Sequence, residues 1–228
     1  MDRTFFEIFS SLEDPRNDKG KKYPLMDVII LAIYGTLIGF EDFTNMSYYL
    51  KKRESELTEQ LGLTAGVPSH DVFSDVFRAL DVERFMELFI NWTKSVANVT
   101  PEGHIAIDGK AVRASAKKSA GEEVSHEVHF HVLDTAVSAE KYANLARGHW
   151  EIENNLHWVL DMHFREDAST ANTDHAIENH ALLRKIAFNF ANLDDNMKGK
   201  SIKKKMIDYM IDLDLFNRLI YEIVTNRA

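Results

Sequence analysis

The sequence has no cysteine among its 228 residues, which excludes disulfide bonds and thiolate metal sites. It also has no long hydrophobic run: the longest, residues 28–38, is interrupted by Tyr, Gly and Thr at 34–36 and is too short to span a bilayer. The first residues lack an apolar stretch between a basic head and a cleavage site, so they do not resemble a secretory signal. These absences favour a cytoplasmic protein without a membrane partner.

An excess of positive charge is also missing. The chain has 27 Lys and Arg residues against 36 Asp and Glu residues, which gives a formal net charge of −9. This balance argues against broad, non-specific DNA binding, which depends on Lys and Arg neutralising phosphates. The local exceptions are three basic patches, formed by Arg16 with Lys19, Lys21 and Lys22, by residues 110–118, and by residues 198–205.

Residues 1–100 are predicted to form a helical N-terminal domain. Apolar residues near the start recur at helical spacing, and the sequence Asp-Pro-Arg-Asn at 14–17 ends that first helix. A long apolar helix is predicted over about residues 25–39. Ser69 stands where it can cap a further helix, whose apolar face lies within residues 72–80.

The pattern changes at residues 104–108, where His-Ile-Ala-Ile-Asp predicts a short buried strand. Residues 127–133 alternate and predict a second strand, which we expect to pair directly with the first. From Ser138 the chain is predicted to be helical again, with a long helix within residues 174–193. The predicted fold is therefore mainly α with a small remnant β-sheet.

The sequence Ile-Asp-Gly-Lys at 107–110 places Asp108 at the end of the first predicted strand. A strand fixes the backbone beneath the carboxylate, and Gly109 permits close approach of a loop or a phosphate, which suits a metal ligand. The alternative is an ordinary strand that enters a turn. Taken alone, this motif does not define a site.

A second motif covers residues 147–161. On a helix, Glu153 and His157 share one face with apolar residues, and a core-facing stripe rarely includes a carboxylate unless it is paired or binds a metal. The alternative is that Glu153 pairs with Arg147 or a nearby His at the helix surface. His149 and His157 lie eight residues apart rather than four, which argues against a zinc site on one face.

Four recognisable stretches occur in order along nearly the whole chain. They are Asp-Pro-Arg at 14–16 with Gly-Lys-Lys-Tyr-Pro-Leu at 20–25, Gly-Val-Pro-Ser-His-Asp-Val-Phe at 66–73, Ile-Asp-Gly-Lys at 107–110, and His-Trp-Glu-Ile-Glu-Asn-Asn-Leu-His-Trp-Val-Leu-Asp at 149–161, continued at 164–168 and 178–179. Together they resemble the DDE-class insertion-sequence transposases related to the H-repeat-associated proteins of Rhs elements.

The resemblance implies a helical N-terminal domain, residues 1–100, followed by a truncated RNase H-like domain, residues 101–228. In this family three carboxylates, Asp, Asp and Glu, hold two Mg²⁺ ions that activate water or a DNA 3′-hydroxyl and stabilise the leaving oxygen. By the matching motifs, Asp108 corresponds to the first Asp and Glu153 to the Glu. These two residues are therefore the catalytic and Mg²⁺-binding candidates.

The second Asp of the family has no match, because the central segment that carries it is missing. Only 44 residues, 109–152, separate Asp108 from Glu153. A sheet cannot be completed in that length, since strands take about five or six residues and parallel crossovers about a dozen or more. Two carboxylates can hold one Mg²⁺ but not a two-metal clamp, so we expect an inactive site. The alternatives are Asp134 as a stand-in and a second chain that completes the site.

Three functions remain open from the sequence. The first is a catalytically inactive, DNA-binding or regulatory remnant of a DDE transposase. The second is a protein-interaction module that no longer binds DNA, and the third is an active transposase or nuclease with a rebuilt site. Exposed strand edges and apolar faces around residues 127–160 predict a homodimer or a protein partner at that surface. The candidate DNA contacts are Arg16, Lys19, Lys21, Lys22, Lys110, Arg113, Arg147 and His149.

Overall fold

A computed structural model describes residues 4–17, 21–96, 158–164 and 175–225. These residues are mainly helical and include no strand, which confirms the predicted helical class. The helices are α1 (Phe5–Phe9), α2 (Leu25–Leu37), α3 (Phe43–Lys52), α4 (Glu54–Leu61), α5 (His70–Ala79), α6 (Val82–Val96), α7 (Trp158–His163), α8 (Ala176–Leu193), a 3₁₀ helix (Asp195–Met197), α9 (Ile202–Ile211) and α10 (Leu213–Thr225). The strands predicted at 104–108 and 127–133, and the RNase H-like arrangement, lie outside the described residues.

Side chains at the helix starts explain where several helices begin. Thr4 caps α1 in a reciprocal pair, because its Oγ1 accepts the Glu7 N–H at 3.2 Å and its own N–H donates to Glu7 Oε2 at 3.0 Å. Asp42 accepts the Asn45 N–H at 2.8 Å and begins α3 in the same way. Ser69 stands at the predicted N-cap of α5, but its side chain makes no capping hydrogen bond.

The core is organised around two long helices, α2 and α8. Helix α2 is buried all round from Val28 to its end, which matches its unbroken apolar sequence. Helix α8 packs against α2 and also contacts α5, α6, α7 and α9. Leu183, Ile186 and Phe190 on α8 are almost completely buried. The apolar face predicted for this helix is therefore the face that enters the core.

An aromatic cluster joins the first helix to this core. The Phe5 and Phe9 rings stack at 4.1 Å, and Phe5 meets Trp92 and Phe190 edge-on, each at 5.2 Å between ring centroids. Edge-to-face contacts of this kind add stability beyond the buried area. Phe5 and Trp92 have no exposed surface, so α1, α6 and α8 share one dry cluster.

The helices on either side of the predicted boundary at residue 100 pack together. The described helices of residues 4–96 and those of residues 158–164 and 175–225 belong to one compact unit. Helices from both predicted domains therefore share one core, while the division between the domains stays a prediction. None of the helices in the described ranges has the length and apolar character needed to cross a bilayer.

Candidate functional site

The structure describes three of the predicted site residues, Arg16, Lys21 and Lys22, which lie in the segment that leads into α2. The remaining candidates lie outside the described residues, and so does the stand-in Asp134. These are Asp108 and Glu153 for catalysis and metal binding, and Lys19, Lys110, Arg113, Arg147 and His149 for DNA contact.

Arg16 is held by its own segment. Its Nε and Nη2 atoms donate to the two carboxylate oxygens of Asp14 at 2.9 and 2.7 Å, and Nη2 also donates to the Tyr23 carbonyl at 2.6 Å. The side chain is only 7% exposed. This fork-to-fork pair closes the turn between the Asp-Pro-Arg stretch and Tyr23. Most of the guanidinium is therefore occupied within the chain.

The charge state of this pair follows from its surroundings. Partial burial acts to raise the pKa of Asp14, but hydrogen bonds from Arg16 and the nearby charge of Lys21 outweigh it and lower the pKa overall. Arg16 Nη1 is buried and has no hydrogen-bond acceptor within the described residues. The Asp14 carboxylate is thus ionised at neutral pH, and the two N–H groups of Arg16 Nη1 are left without an acceptor in the described part of the chain.

Lys21 and Lys22 differ from Arg16 because both are exposed. Lys22 Nζ lies 3.4 Å from the Tyr23 hydroxyl and 4.9 Å from the centre of the Tyr23 ring. A cation–π contact at an exposed site is weak, about 0.5–1 kcal/mol, and leaves the ammonium accessible. Of the three described candidates, these two lysines can reach a phosphate without breaking a buried ion pair.

The Gly-Val-Pro-Ser-His stretch forms the connection between α4 and α5. Gly66 adopts a left-handed conformation with φ of 75°, and the Val67 N–H donates to Glu54 Oε1 at 2.8 Å. A Cβ on Gly66 would collide with the same Glu54 oxygen. Ser47 Oγ donates to the Pro68 carbonyl at 2.9 Å and ties the loop to α3. This motif therefore has a structural role in the described body.

Asn179 has a structural role that the sequence did not reveal, since there it was recognised only as part of a motif. It is fully buried on α8, and its Nδ2 donates to the carbonyls of Phe77 and Leu80, both at 2.9 Å. The available signal in the sequence was a polar residue one turn before Leu182 and Leu183 of the predicted apolar face. A polar residue buried on such a face is usually hydrogen-bonded. The contact fixes α8 against the end of α5.

The third predicted basic patch, residues 198–205, is divided by the fold. Lys203 and Lys204 are exposed, whereas Lys205 is buried and its Nζ donates to the Ala191 carbonyl at 2.6 Å. Asp194 accepts the Tyr209 hydroxyl at 2.6 Å beside it. Burial lowers the pKa of Lys205, and the nearby Asp194 partly opposes that shift. Lys205 therefore belongs to the core and not to the basic surface.

The described residues do not form a metal centre. Residues 4–17, 21–96, 158–164 and 175–225 contain no group of three or more His, Cys, Asp or Glu side chains arranged to hold a metal ion. The predicted Mg²⁺ ligands Asp108 and Glu153 lie outside these ranges. The Mg²⁺ expectation therefore rests on the resemblance alone.

Two family models match the chain, one on each side of its middle. The model described as DDE_Tnp_1-associated matches residues 6–93, which include most of α1, all of α2 to α5 and most of α6. The model described as Transposase DDE domain matches residues 110–190, which include Glu153 and most of α8 but begin two residues after Asp108. The chain belongs to the DDE transposase family related to the Rhs-associated proteins.

Individual relatives agree with the family models. The chain is 34% identical over 122 residues to "Uncharacterized protein in dhlA 3'region" of Xanthobacter autotrophicus, covering 52% of this chain and 40% of that protein. It is 31% identical over 102 residues to "H repeat-associated putative transposase YhhI" of Escherichia coli, covering 45% and 26%. YbfD of the same organism, described in the same words, is 26% identical over 126 residues, covering 55% and 50%.

The matches cover only parts of these relatives. The chain spans between about a quarter and a half of the length of the curated relatives named above. No solved structure matches the chain. Family membership is therefore established from sequence, and the activity of a whole transposase does not transfer to this chain with it.

Proposed function

We propose that the chain is a transposase-derived protein that does not cleave DNA and acts by binding DNA or by regulating transposition. The proposal rests on the contrast between a packed helical body and an incomplete set of metal-binding carboxylates. The segments matched by the associated model and by the end of the DDE model pack into one buried core. The sequence, however, supplies only Asp108 and Glu153 of the three family carboxylates, with 44 residues (109–152) between them.

Without the second Asp of the family, the site lacks the two-metal arrangement that the family chemistry requires. In that chemistry two ions stabilise the attacking and the leaving oxygens on opposite sides of the phosphorus. By resemblance, Asp108 and Glu153 would hold at most one Mg²⁺, which usually keeps several waters. The described helical body, in contrast, packs through apolar side chains of its own helices. A retained body with an incomplete metal site suits a binding role.

The absence of cleavage is tested with supercoiled plasmid DNA and the full chain, in Mg²⁺ and separately in Mn²⁺. The proposal expects no nicked or linear product above the level of a metal-free control. Nicking that requires the metal, and that Asp108→Asn and Glu153→Gln each abolish, would instead establish an active enzyme with a rebuilt site.

DNA binding is tested by the fluorescence anisotropy of a short labelled duplex at low and at physiological salt. We expect affinity that falls steeply with salt, because each neutralised phosphate contributes a log–log slope of about −0.9. Lys21→Ala and Lys22→Ala should each reduce that slope by about 1. Lys94→Ala, which removes an exposed lysine from α6, is the matched control and should leave the slope unchanged.

Arg16 provides an internal check on this assignment. The guanidinium of Arg16 is bound to Asp14 and Tyr23. We therefore expect Arg16→Ala to lower the free energy of unfolding and to change the salt slope little. A loss of affinity with unchanged stability would place Arg16 in the DNA contact and not in the turn.

A protein-interaction module is the second candidate function. The net charge of −9 favours it, and so do exposed apolar side chains, with Tyr48 67% exposed and Ile211 73% exposed. Single exposed apolar residues are common on monomers, so the decisive measurement is sedimentation of the purified chain at tens of micromolar. A dimer together with no duplex binding at low salt supports this candidate, and a monomer that binds the duplex supports the first.

A further inference from the structure

A cavity of about 210 Å³ lies where α1, α2, α4 and α10 meet, and it is open on one side. Its walls are largely apolar and include Phe6, Met26, Ile30, Ile220 and Tyr221. A dry cavity of about 150 Å³ admits a benzene molecule. This cavity therefore has room for one aromatic ring and a short chain, and it is too small for a nucleotide or a peptide segment.

One carboxylate, that of Asp27 in the first turn of α2, lines the same cavity. Burial raises the pKa of Asp27, and the Thr64 backbone N–H acts in the opposite direction. No Lys or Arg of the described residues forms an ion pair with this carboxylate. Gln60 also lines the cavity, and its Nε2 donates to Asp214 Oδ1 at 2.6 Å.

Asp27 gives the cavity a preference for a positive charge, because partial burial of a carboxylate is offset when a cation pairs with it. An anionic ligand would meet the opposite effect.

The aromatic walls favour the same chemistry. Phe6 and Tyr221 line the cavity, and both residues are partly exposed, by 46% and 68%. Aromatic rings attract cations to their faces. The cavity thus combines an apolar interior, a carboxylate and two aromatic residues, which are the elements that recognise an organic ammonium ion.

We infer that this cavity binds a small organic ammonium ion, with the ammonium group at Asp27 and the apolar body against Ile30 and Ile220. The inference goes beyond the proposed function, since it involves neither DNA nor the carboxylates at 108 and 153. It adds a ligand site on the helical body.

The test uses the full chain and 2-phenylethylammonium as the probe, with 2-phenylethanol and 3-phenylpropanoate as neutral and anionic analogues of similar size. Saturation-transfer NMR and calorimetric titration measure binding. We expect the ammonium ion to bind at least about tenfold more tightly than either analogue, because only the ammonium ion can form a charge-assisted hydrogen bond with Asp27. Equal binding of the three probes, or no binding at millimolar concentration, would overturn the inference.

Substitutions at the cavity test whether the probe binds there. Asp27→Asn should weaken the binding of the ammonium ion at least about tenfold and leave the binding of 2-phenylethanol unchanged. Ile220→Trp should fill the cavity and weaken the binding of both compounds. Asp75→Asn, which removes an exposed carboxylate paired with Arg78 on α5, is the matched control and should bind the probe as the unmodified chain does. Unchanged affinity in Asp27→Asn, with the helical circular dichroism spectrum preserved, contradicts the inference.

Discussion

Asn179 on α8 and Leu80 at the end of α5 are joined by a 2.9 Å hydrogen bond from Asn179 Nδ2 to the Leu80 carbonyl. The second amide hydrogen donates to the Phe77 carbonyl, also at 2.9 Å. The last carbonyls of a helix have no partner within that helix. Asn179, about a hundred residues further along the chain, therefore supplies the hydrogen-bond donors for the last carbonyls of α5. The segment matched by the DDE model thus helps to hold the segment matched by the associated model.

We expect Asn179→Ala to destabilise the protein, because it leaves two buried carbonyls without donors at about 1–3 kcal/mol each. Urea denaturation followed by circular dichroism measures the change in the free energy of unfolding. Asn91→Ala, at an exposed position on α6, should change that free energy by no more than about 0.5 kcal/mol. Similar losses in the two variants would show that the hydrogen bonds of Asn179 contribute little.

His180, the next residue on α8, gives the protein a predictable acid sensitivity. Its ring packs against Phe43 at 4.5 Å and Phe77 at 6.1 Å. Burial, with a smaller contribution from the charge of Arg184, lowers the pKa of His180 from 6.5 to about 4. Between these values the unfolded chain binds a proton that the folded chain does not. Stability therefore falls as the pH decreases from 6.5 towards 4.

The matching experiment compares the free energy of unfolding at both ends of that range in the unmodified chain and in His180→Phe. Each pKa unit corresponds to about 1.4 kcal/mol, so the histidine accounts for at most roughly 3 kcal/mol of the acid loss. His180→Phe should lack that part of the loss. His70→Gln, which changes a half-exposed histidine on α5, should retain it, and identical pH profiles for all three proteins would refute the assignment.

Helix periodicity in the sequence was sufficient to predict the core-facing side of α8. The spacing of Leu183, Ile186 and Phe190 defines one helix face, and burial of that face is the only stable outcome for an amphipathic helix in a globular body. Periodicity does not identify the partner helix. It therefore predicts that α8 is buried but not that α2, α5 and α6 surround it.

Lys205 shows where sequence reasoning about charge was incomplete. A run of three lysines at the start of α9 is typical of a solvated surface, yet the third lysine shares a helix face with Met206 and Tyr209, which are both buried. Its amine reaches the carbonyl of Ala191, where α8 ends. The candidate catalytic pair Asp108 and Glu153 stays a prediction, because it lies outside the described residues.

Arg53 connects segments that are far apart in sequence. Its Nη1 donates to the Tyr34 hydroxyl, to the Tyr49 hydroxyl and to the Met210 carbonyl at 3.0–3.2 Å, and the other two nitrogens bind Glu56 at 2.7 and 2.8 Å. Such a pattern requires the planar fork of a guanidinium, which the single amine of lysine cannot reproduce.

Arg53→Lys is therefore expected to lower the free energy of unfolding by roughly 2 kcal/mol, since at least one buried partner loses its donor. Arg78→Lys supplies the control, because Arg78 makes a single exposed pair with Asp75 of the kind that contributes about 0–1 kcal/mol. Denaturation curves that shift equally for both substitutions would argue against a bridging role for Arg53.

Gly62 and Gly66 form a natural pair for separating backbone strain from a steric contact. Both have positive φ, 66° and 75°, and a left-handed conformation costs a residue with a Cβ about 1–2 kcal/mol. A Cβ at Gly62 meets nothing within 4 Å, whereas one at Gly66 collides with the Glu54 carboxylate. Glu54 is the group that accepts the Val67 N–H at 2.8 Å.

Gly62→Ala should therefore cost only the backbone strain, and Gly66→Ala should cost about 1–2 kcal/mol more, because Glu54 must move and give up its hydrogen bond. A double-mutant cycle isolates that contact. In a Glu54→Ala background, where the collision is absent, the cost of Gly66→Ala should fall to that of Gly62→Ala. If Gly66→Ala is equally damaging with and without the Glu54 side chain, the left-handed backbone alone explains why glycine occupies the loop.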